Sequence, residues 1–450
     1  MTTGARLRRL KIDRYRNVTP GTELVFNEGF NVLLGRNGTG KTTLLNLIAM
    51  VAKCDFSALK DTELALDYEL YYAGMRVEVS VQSTRQGGEA AALLAPALGQ
   101  PAAIPGLQHG DPLPARWSYT IALHLAGEQR RHEIVANALG ARLRTIGAET
   151  TEIPIPVVAL FESDFFPAAM RLMAQHLGAQ NHDLIIATII RMVVSSNGGR
   201  FDEALSTIKS MNDGLRSTEP GSIQGSFLLF ERKSEQGGLS FGGFNFAPWE
   251  LLTYLMGTEP HLVGRESLTI PHTKLSFLQK AVALLGFERA DLILRLVSKD
   301  VENGTEQFLY SNLGFSFTLE DGSIISHELL SYGQKRLLSF LYYAAANPDI
   351  VIADELVNGL HHDWIEACLE VIRDRQSFLT SQNPVLLDFL PFQSAEEVQR
   401  TFLLCRREVR DGRVQMVWQN LSPESADSFF RSYKTEALQV SEILRARGLW

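Results

Sequence analysis

Gly35-Arg36-Asn37-Gly38-Thr39-Gly40-Lys41-Thr42-Thr43 is a glycine-rich run that closes on a lysine and two threonines. A short apolar run, Phe30 to Leu34, leads in and reads as a buried strand. A helical pattern, Leu44, Leu45, Ile48 and Ala49, leads out. Strand, G-x-x-x-x-G-K-T loop and helix together make the Walker A form of a phosphate-binding loop. The glycines let successive backbone N–H groups turn inward, and with the helix N-terminus those groups form an anion cradle. In such a loop Asn37, Gly38, Thr39, Gly40 and Thr43 shape the cradle. Lys41 brings a point charge to the β- and γ-phosphates, and Thr42 brings a hydroxyl to Mg²⁺. A chance glycine-rich turn would lack the flanking strand and helix.

The bulk composition is that of a globular protein. There are 450 residues, 45% apolar and 21% charged, enough for two or three domains or one domain with a large insertion. The net charge of −8 provides no global basic field for nucleic acid, although local basic clusters remain. Cys54, Cys368 and Cys405 are scattered and odd in number, which fits neither a zinc site nor a disulfide framework. A reducing, cytoplasmic setting is expected from them. No apolar run approaches the ~18 residues that span a bilayer, so no membrane role is expected.

Outward from the loop, residues 6 to 34 read as two strands, Leu7–Tyr15 and Glu23–Phe26, before the loop's own strand. Alternation over residues 64 to 83 predicts a hairpin turning at Ala73-Gly74. Residues 85 to 116 read as a flexible loop or insertion tip. Trp117 to Leu125 and Gln129 to Val135 read as another hairpin. Residues 153 to 161 read as a strand and 167 to 208 as helices. Phe227–Glu231 and Leu239–Phe246 read as a short strand pair, and Trp249 to Met256 and Leu275 to Leu285 as helices. A hairpin of Phe308–Tyr310 and Phe315–Leu319 comes next. The resulting organisation is 1–84, 85–310 (β-hairpins and a compact, largely helical insertion) and 311–450.

A second motif block lies in the last part. Leu330-Ser331-Tyr332-Gly333-Gln334 opens a helical pattern. Ser331 is placed as its N-cap, and the Ser331 hydroxyl, the Gly333 N–H and the helix dipole together make an anion site. Asp349-Ile350-Val351-Ile352-Ala353-Asp354-Glu355 then reads as a buried strand ending in two carboxylates, the Walker B form. Asp354 would hold Mg²⁺ through water, and Glu355 would polarise an attacking water. Adjacent His361 and His362 do not share a helix face, which argues against a metal pair. Ser377 to Pro384 reads as a strand ending in Ser381-Gln382-Asn383-Pro384, the place for a group that touches the γ-phosphate. An amide there hydrogen-bonds but does not titrate. Phe402–Cys405 and Val414–Trp418 read as late strands and 423–448 as a helical segment.

Taken in order, Tyr15-Arg16-Asn17, the loop at 35–43, Ser331-Tyr332-Gly333-Gln334, Asp354-Glu355, Asn358-Gly359-Leu360-His361 and Ser381-Gln382-Asn383-Pro384 resemble the ABC-type AAA ATPases of the RecF, SMC and OLD group. The resemblance covers roughly residues 1–84 and 310–420. It implies an α/β P-loop NTPase with an ABC-ATPase-like head, in which a mixed sheet core is joined by an antiparallel β subdomain. It also implies binding of ATP and Mg²⁺, hydrolysis, and a homodimer or higher oligomer through ATP-sandwiched heads, each Ser331 meeting the nucleotide held by the other copy. Tyr332 departs from the glycine usual in the signature, and Gln382 stands where histidine is usual, so slower hydrolysis is implied. Arg16 matches a family arginine near the phosphates; the alternative is a solvated strand residue. No long coiled coil is present. About 95 residues follow Glu355, too few for the Toprim nuclease domain of OLD proteins, so nuclease activity is expected to reside elsewhere. The chain thus resembles stand-alone anti-phage ATPases of the Septu or PARIS type, which work with a separate Toprim or HNH nuclease-like effector. A RecF-like DNA repair ATPase is the alternative. It is permitted by Arg8, Arg9 and Lys11 and by Arg406, Arg407, Arg410 and Arg413, clusters that also suit a plain solvated face.

Overall fold

A computed structural model describes residues 4–56, 59, 62–72, 75–83, 117–124, 131–137, 140–147, 150–155, 201, 228–233, 239–242, 247–257, 263–302, 305–410, 412–435 and 438–449. The helices expected over 167–208 and the loop expected over 85–116 fall outside these residues, apart from Phe201. The chain forms two compact units, one of Met1–Val193 with Arg375–Trp450 and one of Val194–Asp374. It is an α/β P-loop fold in which sheets of different character support the motif-bearing turns.

In the first unit, β1 (Arg6–Tyr15), β2 (Thr22–Val25) and β3 (Phe30–Leu34) precede α1 (Lys41–Lys53). Six further strands follow: β4 (Leu64–Tyr72), β5 (Met75–Ser83), β6 (Trp117–His124), β7 (Arg131–Asn137), β8 (Gly140–Ile146) and β9 (Thr151–Ile155). Together with β1 and β2 they form an antiparallel sheet in the order β2-β1-β4-β5-β6-β7-β8-β9. Strict alternation drives it: β4 and β5 bury every second residue, as one dry and one wetter face require. The fold includes β8, which the sequence reading does not mark.

The rest of this unit is built around β3, the strand that leads into the 35–40 loop. Its elements are β17 (Gln376–Leu379), β18 (Phe402–Arg410) and β19 (Arg413–Asn420), with helices α6 (Pro384–Asp388), α7 (Ala395–Thr401), α8 (Pro423–Lys434) and α9 (Val440–Ala446). Strand β3 lies between β17 and β18 and is parallel to both; β19 is antiparallel to β18. β3 and β17 are buried almost throughout, as parallel central strands are, with polar Asn31, Gln376 and Ser377 among the buried residues. The Gln376 side chain joins the two sheets: its Oε1 accepts from Leu7 N–H (2.7 Å), and its Nε2 donates to the Leu7 and Asn27 carbonyls (2.7 and 2.8 Å).

The second unit contains β10 (Leu228–Lys233), β11 (Leu239–Gly242), α2 (Trp249–Met256), β12 (Ser267–Pro271), α3 (Ser276–Leu285), β13 (Arg289–Glu302), β14 (Thr305–Thr318) and β15 (Ile324–Ser326). It continues with α4 (Tyr332–Ala346), β16 (Ile350–Ala353) and α5 (His362–Val371). Here the structure corrects the hairpin expected within 308–319. Phe308–Tyr310 and Phe315–Leu319 are not two strands around a turn. Residues 305–318 are the single strand β14, paired along its length with β13. A register shift between Ile293 and Arg295 takes up the Ser311-Asn312-Leu313-Gly314 stretch, as a bulge does, and a second shift, between Leu296 and Ser298, lies opposite Leu309 and Tyr310.

Candidate phosphate site and acidic turn

Two motif clusters are built, one in each unit. In the first, Leu34 ends β3 and the chain turns through 35–40 into α1. Gly40 takes the N-cap position with φ 86° and offers no side-chain cap, and no acidic residue occupies the helix's first turn. The positive end of α1 is therefore directed into the loop. Lys41 Nζ donates back to the carbonyls of Gly35 (2.8 Å) and Arg36 (3.2 Å), so its ammonium is held against the loop itself. The Thr39 hydroxyl donates to Arg36 O at 2.8 Å, which makes Thr39 a brace of the turn. Arg36, Asn37 and Gly38 are exposed at its tip, and Thr42 is exposed in the first helical turn, with Thr43 half-buried beside it.

The loop's shape is set from outside as well as from within. A Cβ on Gly35 would lie 2.2 Å from the Cys405 carbonyl oxygen, a backbone atom with no easy retreat. One on Gly40 would lie 2.5 Å from Met416 Sδ and 3.3 Å from the Trp418 ring. The Trp418 indole N–H donates to Thr39 O at 3.4 Å. Met416 and Trp418, both from β19, thus form a wall behind the cradle. The sequence reading placed them on a late strand without assigning them this part, since only the tertiary fold brings them to the loop. Burial pushes the Cys405 thiol up to about 12, so this cysteine is an inert, neutral packing group.

Arg16 and Gln382 lie on two separate turns of the same unit. Arg16 is exposed, with its backbone in the left-handed region at φ 47°, and its guanidinium lies 5.3 Å from the Tyr15 ring. The turn it begins is tied to the loop's back wall: Met416 N–H donates to Asn17 O at 2.8 Å, and Thr19 N–H donates to Met416 O at 2.9 Å. Gln382 is exposed in the turn that leaves β17, the parallel neighbour of β3. That turn is well braced. Asn383 N–H donates to Ser381 Oγ (2.9 Å), and Asn383 Oδ1 caps α6 through Val385 N–H (3.0 Å).

The second cluster belongs to α4 and β16. Ser331 is the N-cap of α4 in a full capping box: Gln334 N–H donates to Ser331 Oγ (3.3 Å), and Ser331 N–H donates to Gln334 Oε1 (2.9 Å). Ser331 and Tyr332 are exposed. Gly333 lies close to Gly359, and a Cβ on it would come within 2.8 Å of Gly359 O. A Cβ on Gly359 would come within 2.6 Å of the Tyr332 ring. The start of α4 and the segment 358–361 are therefore in direct contact. Asp354 and Glu355 follow the buried end of β16, both half-buried, and Glu355 has φ 52°. His361 and His362 are exposed; their Nδ1 atoms lie 3.7 and 3.8 Å from Asp363 carboxylate oxygens. No metal-type cluster of three or more His, Cys, Asp or Glu occurs among the described residues, and no helix among them is long and apolar enough to cross a membrane.

Residues 9–87 match a family model described as "AAA domain", and residues 276–388 match one described as "AAA domain, putative AbiEii toxin, Type IV TA system". No curated protein matches. Similar solved structures include an Smc head bound to the C-terminal winged-helix domain of ScpA, with 11% identity, TM-score 0.34, 92% of this chain and 98% of that one. The SMC head domain from Thermotoga maritima matches with 10% identity, TM-score 0.30 and 93% and 99% coverage. The recombination mediator protein RecF of the RecFOR pathway matches with 12% identity, TM-score 0.31 and 94% and 99% coverage.

Proposed function

We propose that the chain is an ABC-type ATPase of the RecF/SMC group that binds ATP with Mg²⁺, dimerises around the nucleotide and acts as sensor or scaffold for a separate effector in anti-phage defence. The observation that carries the nucleotide part is the loop at 35–43. Gly35 and Gly40 leave space no Cβ could share, an uncapped helix end points into it, and Lys41 is held across it. Such a cradle fits phosphate oxygens. In this reading the head is split between 1–84 and 311–450, around the 85–310 segment. Thr42 and Asp354, hydroxyl and carboxylate donors, suit a hard cation such as Mg²⁺, which would neutralise charge building on the phosphates. Glu355 takes the proton of the attacking water on its carboxylate, and Gln382 orients that water or the terminal phosphate by its amide. Arg16 adds charge near the phosphates. Ser331 and Gly333 of a second copy supply hydroxyl and amide donors at a helix N-terminus.

Calorimetric titration with MgATP tests the reading. Wild type binds, and Lys41→Ala does not; equal affinity in the two would remove the nucleotide assignment. The effector, a Toprim or HNH nuclease-like protein, is sought by pull-down in ATP. A second reading, a RecF-like DNA repair or recombination ATPase, is favoured by one observation: Arg406, Arg407, Arg410 and Arg413 are all exposed on the β18–β19 ribbon. It requires salt-dependent duplex binding that Arg406→Ala/Arg407→Ala abolishes.

A further inference from the structure

We infer that Arg336 is a positioning residue for Glu355, and that Phe201, from the segment between the two motif blocks, holds Arg336 in place. The inference rests on the reading of Glu355 given above for its catalytic consequence, but not for its geometry.

Glu355 adopts a left-handed backbone conformation, φ 52°, that side chains other than glycine rarely take. Such a residue persists where its surroundings over-determine it. Here the turn is held through carbonyl oxygens. Arg336 Nη2 donates to Glu355 O, and Arg336 Nε donates to Leu356 O at 3.1 Å. Asn358 N–H also donates to Glu355 O, at 3.2 Å. The guanidinium fork suits two neighbouring oxygens in a way a lysine ammonium does not. Arg336 is only 6% exposed, so its hydrogen bonds are made away from competing water. It projects from α4, the helix that Ser331 caps, so the helix carrying the signature serine also grips the acidic turn.

Phe201 faces the other side of the arginine. It is fully buried, with its ring 5.1 Å from the guanidinium carbon, inside cation–π range. The same ring meets Phe340 edge-on at 5.4 Å and Tyr343 at 5.6 Å. Tyr343 in turn grips β16, for its hydroxyl accepts from Ile352 N–H (2.8 Å) and donates to Ile352 O (3.1 Å). One aromatic side chain thus bears on both supports of the Asp354-Glu355 pair, the arginine after it and the tyrosine before it. An ordinary core phenylalanine needs apolar neighbours; this one also backs a buried cation that fixes a strained turn. Displacing Phe201 releases Glu355, which gives the segment between the motif blocks a direct hold on hydrolysis.

The test uses the full-length protein with Arg336→Lys, Phe201→Ala and Phe201→Tyr, and Glu355→Gln as reference. Three quantities are read: MgATP affinity, kcat, and amide hydrogen exchange over 355–360 without nucleotide. Arg336→Lys and Phe201→Ala should raise exchange in that segment and lower kcat by about tenfold or more, the scale of a misplaced reacting group. MgATP affinity should stay within about twofold, because neither residue belongs to the phosphate loop. Phe201→Tyr keeps the aromatic face and should restore both exchange and kcat. If Phe201→Ala does not fold, Phe201→Leu, which fills similar space without a π face, carries the same comparison. Wild-type exchange and kcat in both variants, with Glu355→Gln inactive, overturns the inference. Should Glu355→Gln retain full turnover, the role of Glu355 fails, and exchange alone decides: raised values sustain the positioning of the turn by Arg336 and Phe201, and unchanged values overturn it.

Discussion

Gly40→Ala probes the wall behind the phosphate loop. Two costs add at this position. A left-handed backbone, φ 86° at Gly40, costs an L-residue about 1–2 kcal/mol. The new methyl would then meet Met416 Sδ at 2.5 Å and the Trp418 ring at 3.3 Å. Overpacking of that kind costs about 1–3 kcal/mol, toward the lower end here because a thioether can swing aside while the buried indole cannot. Gly38→Ala is the matched control. Gly38 has φ 80°, yet a Cβ on it meets nothing within 4 Å, so only the backbone cost applies. Urea unfolding of the two variants should therefore differ by about 1–2 kcal/mol, with Gly40→Ala the weaker. Adding Met416→Ala to Gly40→Ala should recover part of the loss beyond additivity, since the removed side chain is the one in the way. Equal destabilisation by Gly38→Ala and Gly40→Ala, or a strictly additive double mutant, would refute the account of the wall.

Two further outcomes follow from single groups. Gln382→His should speed ATP turnover severalfold with little change in KM; an unchanged rate would place Gln382 outside the reacting region. His327 is buried, with Nδ1 accepting from Phe315 N–H at 3.1 Å, and burial lowers its pKa below the ordinary imidazole value. The unfolded chain thus takes up a proton that the folded chain resists. Its contribution to stability is whole above about pH 6.5 and shrinks as pH falls below it. Between about pH 7.5 and about pH 5.5 the wild type should lose more urea resistance than His327→Asn does; parallel losses would contradict this.

The loop at 35–43 was legible because its information is local: a strand, a fixed glycine spacing and a helix adjoin in sequence. The same holds for the Ser331 cap, where serine and Gln334 stand three positions apart and close a capping box. Trp249 to Met256 was legible from its helical spacing, and the observed helix has those bounds. What escaped depends on distant partners. Ser311-Asn312-Leu313-Gly314 has the composition of a turn, but a bulge in its pairing with β13 keeps it within a strand. Met416 and Trp418 carry no motif; their part arises only when β19 folds beside β18 and reaches Gly40. Arg336 is one more basic residue in the sequence, two positions after Gln334, and its burial under Phe201 leaves no local trace. Left-handed backbone at Arg16 and Glu355 is likewise invisible to composition, for neither is a residue type that favours it.

In the proposed function ATP gates assembly of this chain. Light scattering on Glu355→Gln, eluted with and without MgATP, reads that step. Glu355→Gln should run at the monomer mass without nucleotide and at twice that mass with MgATP. The combined Lys41→Ala/Glu355→Gln variant should stay monomeric in both. A mass for Glu355→Gln that does not respond to MgATP, under conditions where calorimetry shows the nucleotide bound, would contradict the account.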